Sequence, residues 1–194
     1  MRGVKEIEIK DVNMFRAVWK CYEDYKGKLW KLPSSLSGNF HPLDEDIPGG
    51  LIKHTEKICW LIRCYKEKLG MSDLSYDILM TCAFFHDIGK ADKANIKLQL
   101  ELQDGKLHRK WLIDIDRKDY DNHPQIGASI AEKYLKAENV PQTIIDQIKG
   151  IITCHMAPFD TNVLPKTDQE KLFSYFDYLS SRKELELRTD ESTS

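Results

Sequence analysis

The stretch 76–88 constrains the fold more than any other part of the chain. Ile78, Leu79, Met80, Cys82, Ala83, Phe84 and Phe85 make it apolar on nearly every side. A helix without a polar face belongs at the centre of a domain, with other elements packed around it. Its far end carries His86 and Asp87, and Gly89 behind them is expected to stop the helix. A carboxylate at the tip of a buried helix is costly unless it is paired or bound to a cation. The same run that demands a core therefore demands a partner for Asp87.

The rest of the chain supplies elements to surround that run. Asp11 is placed to cap a first helix, in which Val12, Phe15, Val18, Trp19 and Tyr22 recur at helical spacing until Lys26-Gly27. From 33 to 50 the composition turns to Pro, Ser, Gly, Asn and Asp, an ordered loop in which Phe40, His41 and Pro42 are expected to pack on something. A loop longer than roughly 12–15 residues in a compact domain is usually functional or disordered. A second helix is predicted over 51–69, with Leu51, Ile58, Leu61, Ile62 and Tyr65 on one face and Gly70 closing it. Over 96–116 the period changes to two. Ile96, Leu98, Leu100 and Leu102 alternate with polar residues up to Asp104-Gly105, and Trp111, Ile113 and Ile115 return. That pattern favours an inserted two-stranded hairpin over a short helix.

Pro124 suits the start of a fourth helix bearing Ile126, Ile130, Ala131 and Tyr134. Pro141 opens a fifth with Ile144, Ile145, Ile148, Ile151 and Ile152, and Thr167 to Glu170 form a capping box for a sixth with Leu172, Phe173, Phe176 and Leu179. The expected fold is mainly α, one helical bundle with a β-hairpin at about 96–116. Its parts are an N-terminal helix and substrate-side loop (1–47) packed on the core, a main domain (48–182), and a polar tail (183–194) expected to be disordered.

Composition narrows the function. The 194 residues carry a formal charge of −2, with 41% hydrophobic and 31% charged residues, which is ordinary globular composition. The sequence pI of about 6.3 argues against a surface dedicated to long nucleic acid. No apolar run reaches the ~20 residues needed to span a bilayer, and the first ten residues do not resemble a signal peptide. The five cysteines, at 21, 59, 64, 82 and 154, are odd in number and contain no C-x-x-C. Free thiols in a reducing, cytoplasmic setting are expected, and Cys154 reads as a buried hydrophobe rather than a nucleophile.

Chemistry gathers on the helices. His54 shares a face with Ile58, Leu61 and Tyr65, and His155 lies seven and four residues after Ile148 and Ile151. Asp177 stands among Phe173 and Phe176, and His123 directly precedes Pro124. A single histidine on an apolar face is more often a hydrogen-bonded core residue than a ligand. Four such positions on four helices, together with His86-Asp87 on a fifth, call for a common explanation, and a metal centre provides one. Imidazole and carboxylate without thiolate suit Fe, Mn, Co, Ni or catalytic Zn better than a structural zinc site.

The order His54, His86-Asp87, His123, His155, Asp177 resembles the signature of binuclear HD-domain phosphohydrolases. Gly49-Gly50-Leu51-Ile52-Lys53-His54-Thr55 is similar to the segment that opens the HD domain of YhaM-type 3′→5′ exoribonucleases. His86-Asp87-Ile88-Gly89-Lys90 and His123-Pro124-Gln125-Ile126-Gly127-Ala128 resemble two further elements of such enzymes. The resemblance spans about 48–182 and implies an HD-type helical bundle holding one or two divalent ions (Mn, Fe, Co, Ni, Zn or Mg). It implies that His54, His86, Asp87 and Asp177 hold one ion and His123 and His155 a second, with Asp87 bridging. Asp87 and Lys90 would be the catalytic residues, Lys90 also meeting a substrate phosphate, and His41 and Ser37 further substrate contacts. Where this branch would have a basic residue near position 39, this chain has Asn39.

The implied activity is hydrolysis of a phosphate ester of a nucleotide, cyclic nucleotide, dinucleotide or short oligonucleotide by a metal-activated water. The partner expected is therefore a small phosphate ester or short oligonucleotide, with long nucleic acid not favoured and no membrane. The competing readings are a 3′→5′ exonuclease on single strands and a non-catalytic nucleotide- or metal-binding protein on the same scaffold.

Overall fold

A computed structural model describes residues 7–35, 41–42, 45–103, 106–157 and 163–182. Ser37, Asn39 and Phe40, the Asp104-Gly105 turn and the tail 183–194 lie outside the described residues. The elements run α1 (Val12–Leu29), α2 (Gly50–Lys66), α3 (Asp73–Phe85), α4 (Ile88–Lys93), β1 (Asn95–Gln103), β2 (Lys106–Asp114), α5 (Arg117–Asp121), α6 (His123–Ala137), α7 (Gln142–Cys154) and α8 (Asp168–Ser180). The fold is mainly α with one small hairpin, as the periodicity predicts.

The central place of α3 follows from its lack of a polar face. Every residue from 76 to 85 is buried, and the helix contacts α1, α2, α4, α6, α7 and α8. Ser72, which the sequence reading passes over, starts it by accepting a hydrogen bond from the Ser75 amide. Gly89 does not stop the helical path. The chain turns at His86-Asp87, where Asp87 adopts φ −105° and ψ 3°, and re-enters a helix at Ile88. Gly89 is required for another reason: a Cβ there would lie 2.3 Å from the His123 carbonyl oxygen. Its bare backbone lets α4 and α6 approach closely.

Around this centre, local signals and tertiary packing divide the work. Asp11 caps α1 through the Asn13 and Met14 amides, and the helix continues past Gly27 with Lys26 and Lys28 in its last turn, a favourable placement near a helix C-terminus. Its buried side is Met14, Ala17, Val18, Cys21 and Tyr22, whereas Val12, Phe15 and Trp19 are exposed. Two overlapping stripes satisfy the same period. The one with small residues is turned inward, where Thr81 meets Met14. In α2 the buried stripe is the expected one except for Tyr65, which emerges at the end against the Phe176 ring. That helix stops at Lys66, short of the expected end, and Gly70 takes the left-handed conformation (φ +59°) that its role as a closing glycine requires.

The hairpin is antiparallel, with Asn95 opposite Asp114 and Leu102 opposite Leu107. Ile96, Ile113 and Ile115 at its base pack against the helical core, and Lys31 lies over the Trp111 ring. The short α5 between the hairpin and α6 has no counterpart in the sequence reading; with five residues it carries no periodic signal. The capping box of α8 forms as read from Thr167 and Glu170. No helix among the described residues is long and apolar enough to cross a membrane. All five cysteines are free. Burial pushes the Cys154 thiol up to about 11, so it stays protonated and unreactive near neutrality.

Candidate metal centre

The packing of α2, α3, α6, α7 and α8 brings His54, His86, Asp87, His123, His155 and Asp177 to one place, all of them buried. The sequence pattern calls for this convergence but does not say what produces it. It arises because α3 ends inside the bundle, so that everything packed around its C-terminus faces His86-Asp87. The last turn of α3 presents His86, the break before α4 presents Asp87, and the ends of α6 and α7 present His123 and His155.

The rings are oriented by their Nδ1 atoms. His86 donates to the Ala83 carbonyl (2.9 Å), His123 to the Tyr120 carbonyl (2.6 Å) and His155 to the Ile152 carbonyl (2.6 Å). A carbonyl oxygen can only accept, so in each neutral ring the proton is on Nδ1 and Nε2 carries a lone pair. All three Nε2 atoms point inward. His123 Nε2 and His155 Nε2 stand 3.3 Å apart, lone pair toward lone pair. Among the described residues, His86 Nε2 and Asp87 Oδ1 are buried with no hydrogen-bond partner. Asp87 Oδ1 is 3.0 Å from His123 Nε2 and 3.7 Å from His155 Nε2, and a neutral ring with its proton on Nδ1 has none at Nε2 to give it. Converging lone pairs without protons repel each other, and a cation among them removes the repulsion.

Two groups share Asp87. Its Oδ1 faces His123 and His155. Its Oδ2 lies 3.5 Å from His86 Nε2, which is itself 3.8 Å from Asp177 Oδ1, while His54 Nε2 is 2.9 Å from the same Asp177 oxygen. Ligand atoms of His54, His86 and Asp87, and those of Asp87, His123 and His155, each fall within 4.8 Å of one another. The donor set fits one or two divalent ions with Asp87 between the halves.

Electrostatics agrees with that use. Burial pushes the His86 imidazole down to about 3, keeping it neutral and able to ligate. Burial also lowers His123. For Asp87, burial alone would raise the carboxyl, but the Lys90 ammonium 2.7 Å away overrides it and holds it well below the ordinary range. For His54, burial opposes the charged form, but the Asp177 carboxylate 2.9 Å from Nε2 outweighs it and raises the imidazole above its ordinary value.

Lys90 is buried, with its ammonium 2.7 Å from Asp87 Oδ2 and 3.2 Å from the Ser34 carbonyl. It stands at the centre, on the Asp87 carboxylate. His41 is also beside the centre: its ring meets that of His54 edge-on at 4.8 Å, and Nδ1 donates to Glu45 Oε2 at 2.8 Å. Glu45 escapes the sequence reading altogether. It is fully buried, yet its only signal was a position in a loop rich in other polar residues. Next to His123 opens a cleft of about 470 Å³, bordered by Arg117, Tyr120, Gln125, Thr153 and Met156. None of those five is singled out by the sequence, because their approach depends on how α5, α6 and α7 meet.

This is a helical bundle in which buried histidines and carboxylates converge in groups that could hold metal ions. The HD domain family model matches residues 51–182, and the chain belongs to that family, whose members are typically metal-dependent hydrolases. No curated protein and no solved structure matches the chain.

Proposed function

We propose that this protein is a metal-dependent phosphohydrolase acting on a small nucleotide-type phosphate ester: a nucleotide, cyclic nucleotide, dinucleotide or short oligonucleotide. The observation that carries the reading is Asp87, whose two carboxylate oxygens face two separate histidine groups. Divalent ions held there would lower the pKa of a shared water and neutralise charge on the phosphate during its attack. His54, His86 and Asp177 would hold one ion, His123 and His155 the other, and Asp87 both.

The chain's own groups prepare that chemistry. The carbonyls of Ala83, Tyr120 and Ile152 keep three imidazoles in the ligating tautomer. Lys90 keeps Asp87 ionised and adds positive charge where phosphate oxygens would lie. The surrounding apolar helices exclude water and strengthen each of these interactions. A hydroxyl or thiol nucleophile is not needed, in line with the protonated Cys154.

The cleft beside His123 is sized for the remainder of a small substrate. Its Arg117 is already paired with Asp121 at 3.0 Å, and the whole chain is slightly acidic. Long polyanions need many unpaired cations, so a small ester is favoured over long nucleic acid. Free thiols fit a reducing, cytoplasmic setting.

The test is a nucleotide panel with Mn²⁺-reconstituted protein, separating released phosphate from released nucleotide, with bis(p-nitrophenyl) phosphate as a generic diester. Turnover that disappears in H86A and D87A supports the proposal. A metal-replete protein inactive across the panel overturns it in favour of a non-catalytic binder, and digestion confined to long single strands overturns the substrate class.

A further inference from the structure

Three of the four histidines at the centre are oriented by backbone close to them in sequence; His54 is not. His86 and His155 cap their helices, and His123 begins one, so each finds a carbonyl three residues upstream that can accept its Nδ1 proton. His54 lies inside α2, where carbonyls are used by the helix, and Leu51 O three residues upstream also accepts from Thr55 Oγ1. Its Nδ1 depends on groups from elsewhere in the fold. Ser180 Oγ from α8 is 3.2 Å away and gives its own proton to the Asp177 carbonyl, so it faces His54 with a lone pair. The second group is the Glu45 carboxylate, with Oε2 3.6 Å from Nδ1.

Glu45 has no solvent exposure, and the loop is built to hold it. His41 donates to Oε2, and Lys57 Nζ is 2.5 Å from Oε1. The Glu45 carbonyl accepts from both the Ser34 amide (2.9 Å) and the Ser34 hydroxyl (3.1 Å). Gly50, at the start of α2, touches that carbonyl so closely that a Cβ would lie 1.7 Å from its oxygen. Burial favours the neutral acid, but His41, His54 and Lys57 override it and keep the carboxyl below its ordinary value. A buried carboxylate with this much support is expensive to build as a loop anchor alone.

We propose that Glu45 is a positioning residue for the metal centre, its carboxylate orienting the His54 ring so that Nε2 faces Asp177 and a cation held between them. Glu45 acts through His54 and touches neither the ion nor the substrate; His41 and Lys57 hold its carboxylate in place. Ser180 Oγ accepts from Nδ1 and fixes the tautomer, while the negative charge of Glu45 behind the ring makes it a stronger ligand. The inference rests on the His54 half being a metal site and does not depend on hydrolysis.

The test loads the full chain with Co²⁺, titrates against a competing chelator, and follows the visible spectrum of the bound ion. In E45Q, which keeps the size and loses the charge, affinity is expected to fall about 10- to 100-fold with altered absorption bands. In an H54A background the same substitution is expected to have no further effect, because the ring it acts on is gone. Wild-type affinity and spectrum in E45Q overturn the proposal, as does a full additional loss in H54A. Recovery in E45Q/K57M also overturns it, since the defect would then be the uncompensated lysine charge. If circular dichroism shows E45Q unfolded, E45D takes its place: the charge is kept and the reach shortened, so intermediate affinity supports the proposal and unchanged affinity refutes it. Wild-type protein that binds no Co²⁺ refutes the metal site and this inference together, whereas Co²⁺ binding without turnover refutes only the hydrolase reading.

Discussion

Helix α3 and the β1–β2 hairpin both carry dense apolar sequence, and they end in opposite situations. In α3 every residue from 76 to 85 is buried, and six other helices touch it. In the hairpin Leu98, Leu100, Leu102 and Leu107 are exposed, Leu102 by 76%, and only the base reaches the core. Hydrophobic content states how much surface a segment would gain by burying; geometry states what is available to cover it. A helix at the centre is covered from every direction, whereas the leucine face of the two-stranded ribbon has no layer above it among the described residues. The functional residues follow the same division. The chemistry sits at the end of α3, where low dielectric makes charges and lone pairs consequential.

The contrast can be tested at four points of decreasing effect. H86A and D87A at the end of α3 are expected to lower bound metal and phosphate-ester turnover by at least about a hundredfold, measured by metal analysis and steady-state kinetics. The paired hairpin variant L100A/L102A should alter either quantity by no more than about twofold. Equal losses would mean that the hairpin belongs to the site.

Next, F85A removes a fully buried ring that packs edge-on against Phe84. It is expected to cost about 3–5 kcal/mol in chemical denaturation. A cost below about 1 kcal/mol would deny α3 its central role.

The third effect is a pH dependence of the metal-free protein. The folded-state pKa of His86 is pushed down to about 3 by burial, so between about 6.5 and 3 the unfolded chain binds a proton that the folded chain refuses. Stability should therefore rise with pH across that window and be lost as pH falls, by about 2 kcal/mol between pH 6.5 and 5. His54, whose pKa is raised, acts in the opposite sense, its contribution being lost as pH rises through its folded value. Comparing wild type with H86Q isolates His86, and denaturation midpoints with the same pH slope in both would refute the assignment.

Smallest of all, L102A alone should change stability by no more than about 0.5 kcal/mol, as expected for an exposed side chain. A loss above about 1 kcal/mol would show that the leucine face is covered.

The sequence was most informative wherever the signal was local. The hairpin was legible because strict alternation over nine residues favours strands over a helix, and the α8 capping box because its partners lie three residues apart. The helices were legible in kind but less so in face and extent. In α1 the stripe through Met14 and Ala17 was buried in place of the one through Phe15 and Trp19, a choice that depends on what α3 presents. Gly89 read as a helix stop because glycine usually is one, yet its missing side chain serves the contact with His123, 34 positions away in sequence.

At the site, His54, His86, Asp87, His123, His155 and Asp177 were singled out by their places on or beside apolar helices, and the resemblance to HD-domain phosphohydrolases implies a ligand role for them. Tertiary structure decided how they combine: Asp87 divided between two histidine groups, Lys90 turned onto Asp87, and Glu45 brought behind His54. Periodicity records which way a side chain points relative to its own helix. Which atoms meet across five helices and a loop depends on distances of a few ångströms between elements far apart in the chain, and no local pattern contains them.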